Sequence, residues 1–378
     1  MEPRNLLFVG AGFSFNAGLP LATEFTAKLL NTERLKLDGP SNALVRFVSK
    51  FVEDTFAEGR TASPDDWPEL EDVFTLVDLS ANTGHHLGTY SAADLRLVRR
   101  AMIVRMIRML MQRYKAGQRA QKPNWRRLET FFEEFNERTT AVLSMNWDTV
   151  IESGLSRRQS IDRIEYGCEA NFVEFTSNDV VELGNRAGRR TLHLTKPHGS
   201  VNWLYCDSCR GVFWVTPSNV LKIADTLFKE RDWREVGRLA GLRKPHNVRE
   251  PACPHCNVKA LGTRFATFSF RKALDFPMHA ASWRTAEGHM RAAENWVFFG
   301  YSMPSADFEF KYLLKRVQLA GNPRPNITVI TGGTGSAETK KRFERFFGDV
   351  SGERHFFTDG LTDDVLDHLR SIGVMDST

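Results

Sequence analysis

Asn5-Leu6-Leu7-Phe8-Val9-Gly10-Ala11-Gly12-Phe13-Ser14-Phe15-Asn16-Ala17-Gly18-Leu19-Pro20 is the stretch that decides the fold. Its first five residues form a short apolar run, and Gly10-Ala11-Gly12 breaks that run. Helical spacing then begins through Leu21, Phe25 and Leu29. Strand, glycine turn and helix in that order make one βα unit. Glycines at such a turn let the backbone approach a phosphate, and the helix N-terminus offers N–H groups and a positive dipole end. The hydride-transfer fingerprint G-x-G-x-x-G is not met, because Phe15 stands at its sixth position and the next glycine is Gly18. A tight βα turn with no ligand would look the same.

Outward from that unit, apolar runs return at Thr140–Ser144, Arg190–Thr195, Asn295–Phe299 and Asn326–Ile330, each followed by Gly, Asn, His or Ser. Strands alternating with helices predict an α/β fold, a parallel sheet with helices on both faces. Between the first two strands the pattern is helical. Leu44, Val48, Phe51 and Thr55 share one face; Leu70, Val73, Phe74 and Val77 follow; then come a basic helix around Asp94–Lys115 and the series Trp125, Leu128, Phe132 and Phe135. The region Asp207–Gly262 lacks this rhythm and reads as a separate small module. The expected organisation is one domain from 1–38, 139–204 and 263–378, a helical insertion at 39–138, and a module at 205–262.

The 378 residues are 42% hydrophobic and 26% charged, which excludes a disordered tail, a collagen-like repeat and a small disulfide scaffold. No apolar run reaches about 18 residues, so no membrane span is expected. Leu6–Val9 is too short for a signal peptide, which predicts a cytoplasmic protein. A net charge of +5 is too mild to indicate nucleic acid by itself. The basic residues concentrate at Arg96, Arg99, Arg100, Arg105, Arg108, Arg113, Lys115, Arg119, Lys122, Arg126 and Arg127, with Asp94 the clear acid nearby. Interleaved Leu95, Val98, Met102, Met106 and Leu110 make this a helix packed on one side. The plainer expectation is a solvated basic face; the other is a partner or nucleic-acid surface.

Polar residues gather just past the strands, where an open α/β sheet faces its ligand crevice. Ser144-Met145-Asn146-Trp147-Asp148 offers an amide and a carboxylate, although an Asx turn capping the next helix explains both equally well. Lys196-Pro197-His198-Gly199-Ser200 places a histidine, whose pKa suits a general base, beside a glycine. Phe299-Gly300-Tyr301-Ser302, with Asp307 beyond it, and Thr331-Gly332-Gly333 complete the set. Cys206-x-x-Cys209 and Cys253-x-x-Cys256 predict tetrahedral thiolate zinc, structural because four cysteines leave no open position. Unrelated or redox-active pairs are the alternative. Cys168 is unpaired and reads as a small hydrophobe.

GAGFSFNAGLP, MNWD, HGS, two CxxC pairs and GYS, in this order, resemble the sirtuin family of NAD-consuming proteins. The resemblance runs from about Leu6 to Leu369, with the helical insertion matching only loosely. It implies a Rossmann-like NAD domain carrying a small zinc and helical part, with NAD+ as substrate and Zn2+ structural. By that resemblance Gly10, Ala11, Gly12 and Ser14 hold the pyrophosphate. Asn146 contacts the nicotinamide ribose, Asp148 the carboxamide, and His198 is the catalytic base. Gly300 and Ser302 line the ribose–phosphate groove, and Thr331 and Gly332 lie near the adenosine. Deacylases of the family follow Gly-x-Pro with Asp-Phe-Arg, whereas this chain has Leu21-Ala22-Thr23 after Gly18-Leu19-Pro20. Pro68-Glu69-Leu70-Glu71-Asp72-Val73-Phe74 looks like the sirtuin-like branch of prokaryotic antiphage defence, which hydrolyses NAD without acyl-lysine. That branch implies an oligomer held inactive until triggered, with a partner ATPase or nucleic-acid-guided protein. The alternatives are an NAD-dependent lysine deacylase and a sensor that binds NAD or ADP-ribose without turnover.

Overall fold

The computed structural model describes residues 3–30, 37–57, 67–156, 161, 163–177, 179–183, 190–240, 250–263, 276–305, 307–348 and 352–376. Strand β1 (Asn5–Val9) runs into α1 (Ala11–Phe15), a 3₁₀ turn at Ala22–Glu24 and α2 (Phe25–Leu30). Next come α3 (Gly39–Phe56), α4 (Leu70–Thr83), α5 (Ala92–Ala120) and α6 (Pro123–Glu134), then β2 (Thr140–Ser144) and α7 (Val150–Leu155). Short strands follow: β3 (Arg163–Glu165), β4 (Asn171–Phe175), β5 (Val180–Glu182), β6 (Thr191–Thr195), β7 (Trp203–Cys206) and β8 (Val212–Trp214). The chain continues through α8 (Val220–Leu227), α9 (Glu230–Ala240), β9 (Leu261–Gly262), α10 (Pro277–Ala292), β10 (Asn295–Phe299) and α11 (Phe308–Ala320). It ends with β11 (Asn326–Ile330), α12 (Ser336–Phe347), β12 (Arg354–Phe357) and α13 (Asp363–Ser371). Caps mark the long helices. Asp38 accepts from the Ser41 N–H to start α3, and Ser91 with Asp94 forms a capping box on α5.

The main sheet has seven strands in the order β12-β11-β10-β1-β2-β6-β3, with every pairing parallel. β1 sits in the middle, in register with both neighbours: Val9 pairs Ser144 on one side and Phe299 on the other. The loops after β1, β2 and β10 therefore leave the sheet at one level. Alternate residues serve opposite faces, as the pleat demands. Leu6, Phe8, Trp296 and Phe298 pack with Met290, Leu314 and Phe343 of α10–α12. Leu7, Val9, Val297 and Phe299 pack with Phe13, Leu128, Phe131 and Leu366 on the other face. The expected α/β architecture, a parallel sheet covered by helices on both faces, is what the chain adopts.

A second sheet runs β5-β4-β8-β7-β9 around its own core of Val173, Leu204, Phe213, Val215 and Ile223. It draws on β4 and β5, which precede position 205. α8 packs against α5, and α9 against α3.

The basic stretch departs in its middle from the solvated face expected of it, while Arg96, Lys115, Arg119, Lys122 and Arg126 are exposed as expected. Residues 101–111 of α5 are buried throughout. Three of the arginines pair with acids from distant elements: Arg99 pairs Asp78 at 2.6 Å, Arg100 pairs Asp232 at 2.8 Å, and Arg108 bridges Asp38 and Asp225. Buried Arg105 donates from Nε to the Leu29 carbonyl at 3.0 Å. These acids are remote in sequence, so charge counted along the helix misses them. No helix among the described residues is long and apolar enough to cross a membrane.

Candidate active site

From β1 the sheet extends on one side through β2, β6 and β3, and on the other, from later in the chain, through β10, β11 and β12. The strand order reverses between β1 and β10, and such a reversal opens a crevice at the carboxyl ends of the strands. The turns bordering it are glycine to glycine. A Cβ on Gly10 would lie 2.5 Å from the Gly300 carbonyl oxygen, and one on Gly300, at φ +66, would lie 2.1 Å from the Phe13 nitrogen. The Gly10 and Gly12 N–H groups donate to Phe299 and Gly300 carbonyls at 3.0 and 2.9 Å. These glycines thus let the two turns clasp each other as well as bring backbone to the crevice.

Ser14, buried on α1, donates from Oγ to Asp148 Oδ2 at 2.7 Å and accepts from Asn146 Nδ2 at 3.0 Å. Asp148 Oδ1 accepts from the Val150 N–H at 2.9 Å, opening α7. The Asx turn and the site carboxylate are therefore one residue performing both tasks. Beside them the loop after β6 carries His198, buried and edge-on to Trp283 at 5.9 Å between ring centroids. Under both loops lies Lys196. Its Nζ donates to the Asp148 carbonyl at 2.5 Å, to Ser200 Oγ at 2.8 Å and to Glu152 Oε1 at 3.0 Å. The Lys196 and Glu152 side chains are 0% and 1% exposed. Burial pushes the Glu152 carboxyl up from its ordinary value, and the Lys196 ammonium opposes that rise. Behind the His198 loop, burial drives the His279 imidazole down to about 4. The Pro197 backbone opposes that fall, although neither ring nitrogen has a hydrogen-bond partner of good geometry among the described residues.

The loops carrying Ser14, Asn146, Asp148 and His198 surround a cavity of about 210 Å3. Gly10, Ala11, Ser14, Asn146, Asp148, His198, Gly300 and Ser302 line it, so four separate stretches of sequence converge there. Gly12 lies beneath, against Gly300. Thr331 and Gly332, past β11, are not among the described lining residues; the Thr331 carbonyl accepts from Gly360, and a Cβ on Gly332 would meet Gly360 at 2.9 Å. Phe25, Glu71 and Leu110, from helices between β1 and β2, supply a wall that motif reading missed. Glu71 belongs to the Pro68–Phe74 segment singled out above, but nothing local places it over the sheet. Tyr301 and Asp307 line the other side, with the phenol donating to the Asp307 carboxylate at 2.9 Å. Burial first, then Asp307, raises the Tyr301 phenol well above its ordinary value, keeping it a donor.

The four cysteines form two matching turns. In each, the residue after the second cysteine takes a left-handed backbone, Arg210 at φ 62 and Asn257 at φ 57. Its N–H donates to the carbonyl of the first, Arg210 to Cys206 at 2.8 Å and Asn257 to Cys253 at 2.9 Å. All four Sγ atoms lie within 4.8 Å of one another, with Cys206–Cys256 at 3.6 Å and Cys209–Cys253 at 3.7 Å. A disulfide requires about 2.05 Å. A tetrahedron with zinc–sulfur bonds of about 2.3 Å has sulfurs about 3.8 Å apart. The cluster fits zinc, with no coordination position left for a water, and none of the four lines the cavity. Cys168 is partly buried, and burial pushes its thiol up to about 12.

No family model matches the chain, and no curated protein matches it in sequence. Among solved structures it is similar to one described under the mechanism and regulation of Sir2 enzymes, with 13% identity, a TM-score of 0.31, and 98% of this chain and 94% of that chain covered. A structure on sirtuin substrate affinity gives 14% identity, a TM-score of 0.33 and coverage of 98% and 93%. A Sir2 structure in complex with an inhibitor, 2'-O-acetyl-ADP-ribose and a deacetylated peptide gives 14%, 0.29, and again 98% and 93%. At TM-scores this low the likeness carries no argument about the site, whose chemistry is read from its own geometry.

Proposed function

We propose that this protein is a sirtuin-like NAD+ hydrolase that cleaves the nicotinamide–ribose bond to give nicotinamide and ADP-ribose. The observation that carries the reading is the convergence of Asn146, Asp148 and His198 with the Gly10 and Gly300 turns on one cavity at the reversal of strand order. In the reaction the C1′–N bond breaks with its electron pair passing to the pyridinium nitrogen, so nicotinamide leaves neutral. Positive charge collects on the ribose as an oxocarbenium-like centre, as in other glycosidic cleavages. A water oxygen bonds to C1′ and gives up one proton. In this reading His198 receives that proton, Asn146 orients the ribose or the water, and Asp148 holds the carboxamide. Gly10, Ala11 and Ser14 meet the pyrophosphate, with Gly12 holding their turn from beneath, and Gly300 and Ser302 meet the ribose–phosphate groove. The adenosine then extends toward Thr331 and Gly332. By the motif resemblance, the wider role is a NAD-depleting, oligomeric effector of antiphage defence.

Nicotinamide release from NAD+ without any peptide tests the reading, with Asn146→Ala and His198→Ala each expected to lower it by about 100-fold or more. Near-normal rates in folded variants refute the assignments. The four-thiol cluster favours a second reading, a lysine deacylase, because such pairs are typical of that branch. Strict dependence of nicotinamide release on an acyl-lysine peptide would decide for it.

A further inference from the structure

We propose that Lys196 is a positioning residue whose ammonium clasps the Asn146–Asp148 loop to the His198 loop and thereby sets the geometry of cleavage; the proposal rests on the NAD+-cleaving reading. The two loops leave neighbouring parallel strands one residue past the pair Leu143 and Thr195. Each reaches the cavity without regular structure, and the His198 loop turns through Gly199 at φ +81. Lys196 spends its three donors across this gap. One goes to the Asp148 carbonyl on the first loop, one to Ser200 on the second, and one to Glu152 at the start of α7. Ser200 and the Val201 N–H both donate to the Trp147 carbonyl, which closes the clasp from the other side.

Packing alone does not call for this arrangement. An enclosed ion pair is usually no more stable than an apolar pair of similar volume, whereas removal of one partner leaves a stranded charge. What the ammonium adds is direction: it fixes backbone on one loop and side chain on the other at hydrogen-bond distances. Asn146 lies two residues from the clasped Asp148 carbonyl, and His198 lies between Lys196 and Ser200. A misplacement of about 1 Å between reacting groups costs about 100-fold in rate.

The test is the double variant Lys196→Met/Glu152→Leu, which removes the clasp without stranding a charge. Tyr166, which bonds Glu152 at 3.4 Å, keeps its shorter bond from Asn202 at 2.9 Å. The expected result is a melting midpoint within a few degrees of the parent and kcat for nicotinamide release lowered about 100-fold. KM should change by less than about threefold, with faster amide exchange in both loops. Ser200→Ala, which leaves the ion pair intact, should lower kcat by about tenfold and covers the case in which the double variant does not fold. Parent-like kcat in either folded variant overturns the proposal. If the parent itself releases no nicotinamide, with or without peptide, the hydrolase reading fails. Amide exchange then still judges the clasp, and unchanged protection of both loops overturns it.

Discussion

Acidification should weaken the fold in part through one residue behind the site. His279 is 0% exposed and its imidazole sits at about 4, lowered from 6.5 chiefly by burial. Between those two values the unfolded chain binds a proton there that the folded chain refuses. The stabilising contribution is thus complete above about pH 6.5 and is lost as the pH falls toward 4. At about 1.36 kcal/mol per pKa unit, the full effect is about 3 kcal/mol, most of it lost by about pH 4.5. Urea unfolding of the parent and of His279→Phe, at about pH 7.5 and 4.5, isolates the effect. The phenyl ring cannot take up a proton, and its extra bulk costs the same at both pH values. On acidification the variant should gain about 2–3 kcal/mol relative to the parent. A stability difference between the two proteins that stays constant with pH refutes the argument.

The cysteine cluster predicts about one zinc per chain by metal analysis, lost in Cys206→Ser together with a lowered melting midpoint; a metal-free parent and a normally folded variant would remove the site. Gly300→Ala should destabilise by about 3 kcal/mol, from a left-handed backbone and a methyl group 2.1 Å from the Phe13 nitrogen, and a loss below about 1 kcal/mol in urea unfolding would argue against the clasped turns. Because the middle of α5 is buried and Arg99, Arg100 and Arg108 are paired, filter binding in about 0.15 M salt should detect no nucleic-acid affinity; retention abolished by substituting Lys115 and Arg119 would overturn this.

Much of the sheet was legible because β1, β2, β10 and β11 are five-residue runs buried almost throughout and ended by glycine, serine or threonine. β3, β5 and β8 have three residues each and are half-exposed or end on partly exposed residues, too short for period-two reading. At the site, Asn146, Asp148 and His198 were visible as polar residues past strands. Ser14 was legible too, yet its hydroxyl turns to Asp148, a pairing across 134 positions that no local pattern encodes. Glu71 and Lys196 escaped for the same reason: an acidic helix start and a lysine before proline have ordinary local readings.

The sequence by itself determined the parallel α/β class, the glycine turns and the four-thiol pairs, because strand period, backbone permissiveness and cysteine spacing are local properties. Tertiary structure decided the rest. It set β1 between β2 and β10 so that their loops meet, buried the middle of a basic helix by supplying distant aspartates, and placed Lys196 between two loops and Glu71 on the cavity wall. Electrostatic pairing and burial depend on what arrives from elsewhere in the chain, and only the folded arrangement brings it there.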